Sequence, residues 1–373
     1  MILTPMPEVV SGKASLEAFD RFLLRYDVQN LAVITGPRVR QITGFDDILA
    51  CALGHGRMVS VYDNTKADPT FEGAMEACRF AHETGAEAVV GVGGGSPLDT
   101  AKIVAASLTN DVAVETMVGA DNIPFATAPL ACFPTTAGTG SEVTNVAVLT
   151  DVRDGIKKAV VSNRLVPLFA GLLPELTVGL PPGITAATGM DALCHASEAY
   201  LSKRRNDYSD ALALAALALL AKNLPEVIRD PQNLEAREAM LRASLLAGLA
   251  FNNSSVTAIH AFAYPLGGRF HVAHGLANSL LFDAVMRHNY SAEPARFAEL
   301  SRAFSGVSGR DFIEDVETMR KTLPIAQRLR DLNIPETAVE EMANDVMSVT
   351  RLLSMNPREI TREDAGKIYQ KSY

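Results

Sequence analysis

The sequence predicts an α/β nucleotide-binding domain over residues 1–180, followed by an all-helical domain over residues 181–373. Three observations carry this prediction. The first half alternates short apolar runs with stretches of helical periodicity, the pattern of a parallel sheet covered by helices on both faces. After Leu180-Pro181-Pro182-Gly183 the strand patterns almost disappear and helical periodicity takes over. A chain of 373 residues with 48% hydrophobic content exceeds what one core usually serves and is too apolar to be disordered.

The elements follow in chain order. Leu31–Thr35 is a short apolar run closed by Gly36-Pro37, a turn signal. Arg57–Tyr62 is a second strand candidate. Phe71–Glu83 carries apolar residues at helical spacing. Gly85–Val92 reads as a strand stopped by three glycines, and Asp99–Leu108 as the helix after it. Phe125–Phe133 reads as a strand ending at Pro134. Beyond the boundary, 186–201, 207–223, 233–250 and 310–332 all read as helices. The longest apolar run, 211–221, is about half of the ~20 residues that a membrane span needs.

Charge and cysteine content narrow the function classes. Acidic residues number 43 and basic residues 34, for a formal net charge of −9. That balance gives no electrostatic footprint for nucleic acid or an anionic membrane. Cys51, Cys78, Cys132 and Cys194 show no paired-ligand spacing and read as reduced thiols. The amino terminus lacks the basic-then-apolar order of a secretory signal. A cytoplasmic location is the expectation.

Two loops stand out in the first domain. Gly93-Gly94-Gly95-Ser96-Pro97-Leu98-Asp99 follows an apolar strand and opens a helix. Consecutive glycines let backbone N–H groups approach a ligand, and a helix N-terminus is a natural pyrophosphate seat. Ser96 is placed as the N-cap, with Pro97 at the first helical position. The motif is not GxGxxG, so a plain strand-to-helix turn is the alternative reading. The run Pro134-Thr135-Thr136-Ala137-Gly138-Thr139-Gly140-Ser141-Glu142 adds hydroxyls and glycines after another strand. Such groups suit phosphate and ribose recognition, or else a simple capped loop.

The seven histidines are unevenly placed, with four between residues 195 and 274. Asp191 and His195 are four residues apart, which puts both on one face of a helix. Their neighbours are apolar, and a buried aspartate needs a partner. His260 lies in a similar apolar setting, and His274 follows a break at Gly267-Gly268. Three imidazoles and a carboxylate form a plausible divalent-metal set. The other reading is a scatter of separate core and capping histidines.

Taken together, GGGSPLDTAK (93–102), PTTAGTGSEVT (134–144), TAATGMDALCHASEAY (185–200) and the segment 250–278 resemble the iron-containing alcohol dehydrogenase family. That family resembles dehydroquinate synthase in fold. The resemblance covers most of the chain in the family's order. It implies that Asp191, His195, His260 and His274 hold Fe²⁺, with Zn²⁺ also able to bind. It implies NAD or NADP binding through Gly94, Gly95, Ser96, Asp99, Thr135, Thr136 and Thr139. Lys158 falls near the cofactor ribose, Asp68 at another cofactor-facing position, and Phe251 at the substrate pocket. The implied reaction is reversible oxidation of a small alcohol to an aldehyde or ketone. In it the metal acts as Lewis acid on the alcohol oxygen, and hydride passes from the alkoxide carbon to the nicotinamide. A homo-oligomer is also implied.

Departures from the family pattern matter. Many members carry an aspartate after the first strand that would repel a 2′-phosphate, and here that place is Gly36. With Arg38 and Arg40 nearby, NADP is expected to be tolerated. A histidine common four residues after the third ligand is replaced by Tyr264, which at a reference pKa of ~10 is a poor base. His271 is the alternative proton relay, or else a surface residue on its loop. Leu172-Leu173-Pro174-Glu175 replaces an Asp-Pro-Glu-like turn. Two enzymes are rivals. A maleylacetate reductase often lacks the full metal set, and a dehydroquinate synthase-like lyase needs a basic cluster that this chain lacks apart from Arg269. A third rival is a non-catalytic binding protein.

Overall fold

The computed structural model describes residues 3–153 and 155–373. The chain divides into two compact units, one ending at Gly179 and the other running from Leu180 to Tyr373.

The first unit contains β1 (Glu8–Ser11), α1 (Ala14–Arg25), β2 (Asn30–Thr35), α2 (Phe45–Ala52), β3 (Met58–Tyr62), α3 (Phe71–Glu83), β4 (Ala88–Gly93) and α4 (Gly95–Ser107). It continues with β5 (Gly119–Ala120), β6 (Leu130–Pro134), β7 (Val146–Asp151), β8 (Ile156–Val161) and β9 (Phe169–Leu172). Six strands form a parallel sheet in the order β1-β9-β6-β4-β2-β3. Its central strands are buried on both faces, so they read as unbroken apolar runs. Val33 and Val90 face a core with Phe19, Phe22, Phe133 and Phe169. Their neighbours Ile34 and Val89 face a second core with Phe71, Leu98 and Val104. The antiparallel hairpin β7–β8, with β5 beside it, makes a separate three-stranded sheet.

The second unit is helical, with no strand among its described residues. It comprises α5 (Pro182–Leu201), α6 (Asp207–Arg229), α7 (Leu234–Asn252), α8 (Ala258–Phe270), α9 (His274–Tyr290) and α10 (Pro294–Ser305). Then come α11 (Phe312–Arg320), α12 (Ala338–Val346), α13 (Thr350–Leu353) and α14 (Arg362–Ser372). Helix α5 is buried nearly all round and packs on α6, α7 and α9. Helix α6 is long and apolar enough to cross a membrane by length and composition, but it packs on α5, α7 and α10 as a core helix does.

Several boundaries differ from the sequence expectation, each for a physical reason. The predicted strand 125–133 begins only at Leu130, because Pro124 and Pro129 interrupt the ladder and Phe125 is exposed. Helix α6 runs through Pro225 to Arg229 rather than stopping at Asn223. Its start is fixed by an Asn206–Ser209 capping box. The single helix expected over 310–332 is two pieces. Asp311 caps α11, which ends at Arg320, and Pro324 separates it from a 3₁₀ turn at Leu329–Leu332.

Candidate active site

Three helices supply the residues of the helical unit's site. Asp191 and His195 lie one turn apart on α5, His260 is in the first turn of α8, and His274 is the first residue of α9. One ligand atom from each lies within 4.8 Å of all the others. Asp191 Oδ1 is 3.9 Å from His260 Nε2 and 3.8 Å from His274 Nε2. The His195 and His260 rings stack at 4.5 Å, and those of His260 and His274 lie 5.1 Å apart. Asp191, His195 and His260 are buried, while His274 is partly open to solvent.

The electrostatics suit a cation. Burial pushes His195 down to about 4, leaving it neutral with a lone pair to donate. Burial alone would raise Asp191, but the three imidazoles and the Asn278 amide outweigh it and hold the carboxyl below its ordinary value. The amide Nδ2 of Asn278 donates to Asp191 Oδ1 at 2.7 Å. It also lies 3.1 Å from His260 Nε2 and 3.3 Å from His274 Nε2. Three acceptor atoms thus converge on one electropositive group. This donor set, one carboxylate with three imidazoles, fits a divalent first-row metal.

The remaining sequence candidates of this unit divide. Phe251 stacks on the His195 ring at 4.5 Å and so walls the cluster. Tyr264 is half-buried, and burial raises its hydroxyl above the ordinary value, with Glu198 adding to the shift and Arg351 opposing it. It remains a protonated donor, not a base. His271 is exposed and adopts a left-handed conformation (φ 53°) where it caps the end of α8. It stands outside the four-donor group. Arg269 is engaged by Glu341 at 2.7 Å and by Asp345, so it supplies no free cation.

In the α/β unit, the two loops leave the C-terminal ends of adjacent parallel strands, β4 and β6. They touch. A Cβ on Gly94 would lie 3.3 Å from Thr136, and one on Gly95 would lie 3.0 Å from Thr139. The Thr135 N–H donates to the Gly93 carbonyl at 2.8 Å. Helix α4 begins at Gly95 with Gly94 as N-cap, so Ser96 is its second residue and not the cap. Pro97 comes third, where the missing N–H costs no intrahelical bond. The helix therefore starts earlier than the sequence suggested, and the N–H groups of its first turn are left for an anion.

Asp99 has an internal task. It accepts from Ser141 Oγ at 2.6 Å and from the Val148 N–H at 2.9 Å, tying α4 to the hydroxyl loop and to β7. Burial pushes its carboxyl up, against the pull of Lys102, these hydrogen bonds and Lys157. Lys102, wholly buried, donates to Thr144 Oγ1 at 3.1 Å and to the Val146 carbonyl at 2.8 Å. Asp68 (φ 53°) pairs with Lys157 at 2.5 Å. Lys158, the next residue on β8, pairs instead with Asp151 at 2.5 Å. Alternate strand residues face opposite ways, so the lysine beside Asp68 is Lys157. Gly36 closes β2, and a Cβ there would lie 3.3 Å from the Thr65 carbonyl. Beyond it, Arg40 pairs with Asp63 at 2.8 Å, and Arg38 is exposed.

Glu142 is wholly buried in the hydroxyl loop, and its Oε1 lacks a hydrogen-bond partner. Burial pushes its carboxyl up to about 7. An unfolded glutamate ionises near 4.5. Between these values the folded chain holds a proton that the unfolded chain has released. Stability therefore falls as pH rises from about 4.5 to about 7 and levels off above, by at most about 1.4 kcal/mol per pH unit. Glu142→Gln is expected to flatten that slope and to raise the melting temperature near neutrality. Melting curves across this range check it, and a slope unchanged by the substitution would exclude Glu142 as its source.

Sequence reasoning missed Glu198 and Asn278, which hydrogen-bond to the four-residue cluster. Both had a signal. Glu198 is seven residues after Asp191 and Asn278 is four after His274, so each shares a helical face with a ligand.

Comparison with known proteins bears on this site. The family profile described as "Iron-containing alcohol dehydrogenase" matches residues 6–174, and "Fe-containing alcohol dehydrogenase family, C-terminal" matches residues 185–373. The long-chain-alcohol dehydrogenase 1 of Geobacillus thermodenitrificans is 34% identical over 384 residues, covering 100% of this chain and 96% of the relative. An alcohol dehydrogenase structure from Oenococcus oeni superposes with a TM-score of 0.95 at 30% identity, covering all of both chains. The sulfoacetaldehyde reductase of Bifidobacterium kashiwanohense, solved in complex with NAD⁺, superposes with a TM-score of 0.91 at 29% identity, covering 100% and 98% of the two chains.

Proposed function

This chain belongs to the iron-containing alcohol dehydrogenase family, and from that premise we propose how its own residues carry out alcohol oxidation. The observation that carries the reading is the convergence of Asp191, His195, His260 and His274 within 4.8 Å. These four would hold a divalent ion, whose Lewis acidity lowers the pKa of a hydroxyl group and favours hydride loss from the adjoining carbon. Iron(II) is the family's metal, and the ligand set would hold Zn²⁺ at least as tightly.

The protein's part is positioning. Phe251, stacked on His195, offers an apolar wall to the carbon chain of a small neutral alcohol or aldehyde. The Tyr264 hydroxyl, kept protonated by burial, is available to donate to a substrate oxygen. His271, exposed, keeps the role of proton exchange with solvent. In the α/β unit the first turn of α4, with Gly94, Gly95 and Ser96, seats a pyrophosphate, while Thr136 and Thr139 stand beside it. Lys157 and Asp68 take the ribose side. Asp99 and Thr135 hold the two loops together.

We assign both NAD and NADP as cofactors, on the absence of a carboxylate at Gly36 and the exposed guanidinium of Arg38. Arg38→Ala is expected to raise the KM for NADPH about tenfold, the worth of one charged hydrogen bond, and to leave that for NADH unchanged. Equal effects on both cofactors would remove Arg38 from the 2′-phosphate site. The four unpaired cysteines suit a reducing cytoplasm, and family membership supports a homo-oligomer, whose mass sedimentation would give. The activity test is a panel of alcohols and aldehydes with NAD and NADP after anaerobic restoration of Fe²⁺ or Zn²⁺. Metal-dependent turnover of reduced nicotinamide is expected, and its absence with every substrate would overturn the reading.

A further inference from the structure

Glu198 lies on α5, three residues beyond His195, and is wholly buried. An ionised carboxylate there is tolerated only if it is fully hydrogen-bonded. Its partners all come from the start of α8. Oε1 accepts from Thr257 Oγ1 at 2.8 Å and from the Ile259 N–H at 2.6 Å. Oε2 accepts from Nδ1 of His260.

These bonds do two things at once. Thr257, the N-cap of α8, makes no side-chain capping bond of its own. Glu198 supplies the missing cap from another helix, and a negative charge at that end is favourable. In the same contact it accepts a hydrogen bond from Nδ1–H of His260, which in the neutral ring leaves Nε2 as the lone-pair nitrogen. Nε2 is the atom 3.9 Å from Asp191 Oδ1, and it accepts from Asn278. Carboxylates that take the second N–H of a ligating histidine fix its tautomer and orientation.

We propose that Glu198 is a positioning residue that locks His260 in the tautomer able to bind a metal through Nε2, an inference resting on the ligand assignment above. Glutamine is nearly isosteric but cannot satisfy the contact. Three donors meet two acceptor oxygens in the native site, and an amide offers only one. If the amide oxygen serves Thr257 and Ile259, the NH₂ group faces Nδ1 and drives the proton to Nε2. If it serves His260, the NH₂ group faces the Ile259 N–H.

The test titrates metal-free wild type, Glu198→Gln, Thr257→Val and His260→Ala with Zn²⁺ by calorimetry. Melting curves verify that each folds. Glu198→Gln is expected to weaken Zn²⁺ binding by about 10- to 100-fold. Thr257→Val, which removes a capping bond and leaves the imidazole contact intact, is expected to change it less than about threefold, under ~0.7 kcal/mol. Nitrogen-15 spectra of histidine-labelled metal-free protein supply a signature that a purely structural role would not move. His260, identified by its loss in His260→Ala, should show the Nδ1–H form in wild type and lose it in Glu198→Gln. Wild-type affinity in Glu198→Gln, or equal losses in Glu198→Gln and Thr257→Val, would overturn the proposal while leaving the ligand assignment standing. Wild-type affinity in His260→Ala would overturn both.

Discussion

Replacing His260 by alanine is expected to strip the metal and to lower turnover by about a thousandfold. The size follows from the role. A Lewis acid contributes several kcal/mol to stabilising the charge that develops at the alcohol oxygen, and ~4 kcal/mol corresponds to three decades of rate. His260 is a severe case among the four because it is buried against Asp191, Glu198 and Asn278 at once. Its loss removes a metal donor and leaves Glu198 Oε2 without its imidazole partner. Melting should therefore fall as well, by an amount set by ~1–3 kcal/mol for an orphaned buried acceptor. Metal content by elemental analysis and turnover of reduced nicotinamide are the two readouts. Full metal content with full activity would refute the assignment.

Gly275→Ala is expected to damage the site nearly as much without touching a ligand. A Cβ at this position would lie 2.4 Å from the Ala187 carbonyl oxygen and 3.1 Å from Cβ of Asp191. The obstacle is the backbone of α5, which cannot swing aside like a side-chain tip. The first turn of α9 must move away from α5, and His274 moves with it. Overpacking of this kind costs about 1–3 kcal/mol, and a displacement of about 1 Å in a catalytic geometry costs about a hundredfold in rate. The expected result is a lower melting temperature together with weaker metal binding and a large fall in kcat. A variant that melts like wild type and binds metal normally would show that α5 and α9 do not depend on this close approach.

The legible parts of the protein were those written in local spacing. Asp191 and His195 share a helix face because 3.6 residues make a turn, so their pairing follows from sequence alone. The glycine run after β4 signalled a helix start for the same reason, since chain flexibility and helix capping are local properties. Even there the detail slipped. The cap fell at Gly94 rather than Ser96. In an extended strand one residue of register reverses the face, and nothing local to 156–158 says that Lys157 pairs with Asp68 and Lys158 with Asp151.

What the sequence by itself determined is the two-part architecture, the donor chemistry of three histidines and an aspartate, and the glycine–threonine loops. Each is set by residue type and short-range periodicity. The tertiary structure decided which buried groups serve those elements. Glu198 reaches Nδ1 of His260 across 62 residues of sequence, and Asp99 holds Ser141 across 42. Such pairs leave no periodic trace. They are selected by the cost of burying an unpaired charge or N–H, and that cost exists only once the helices and strands have closed around it.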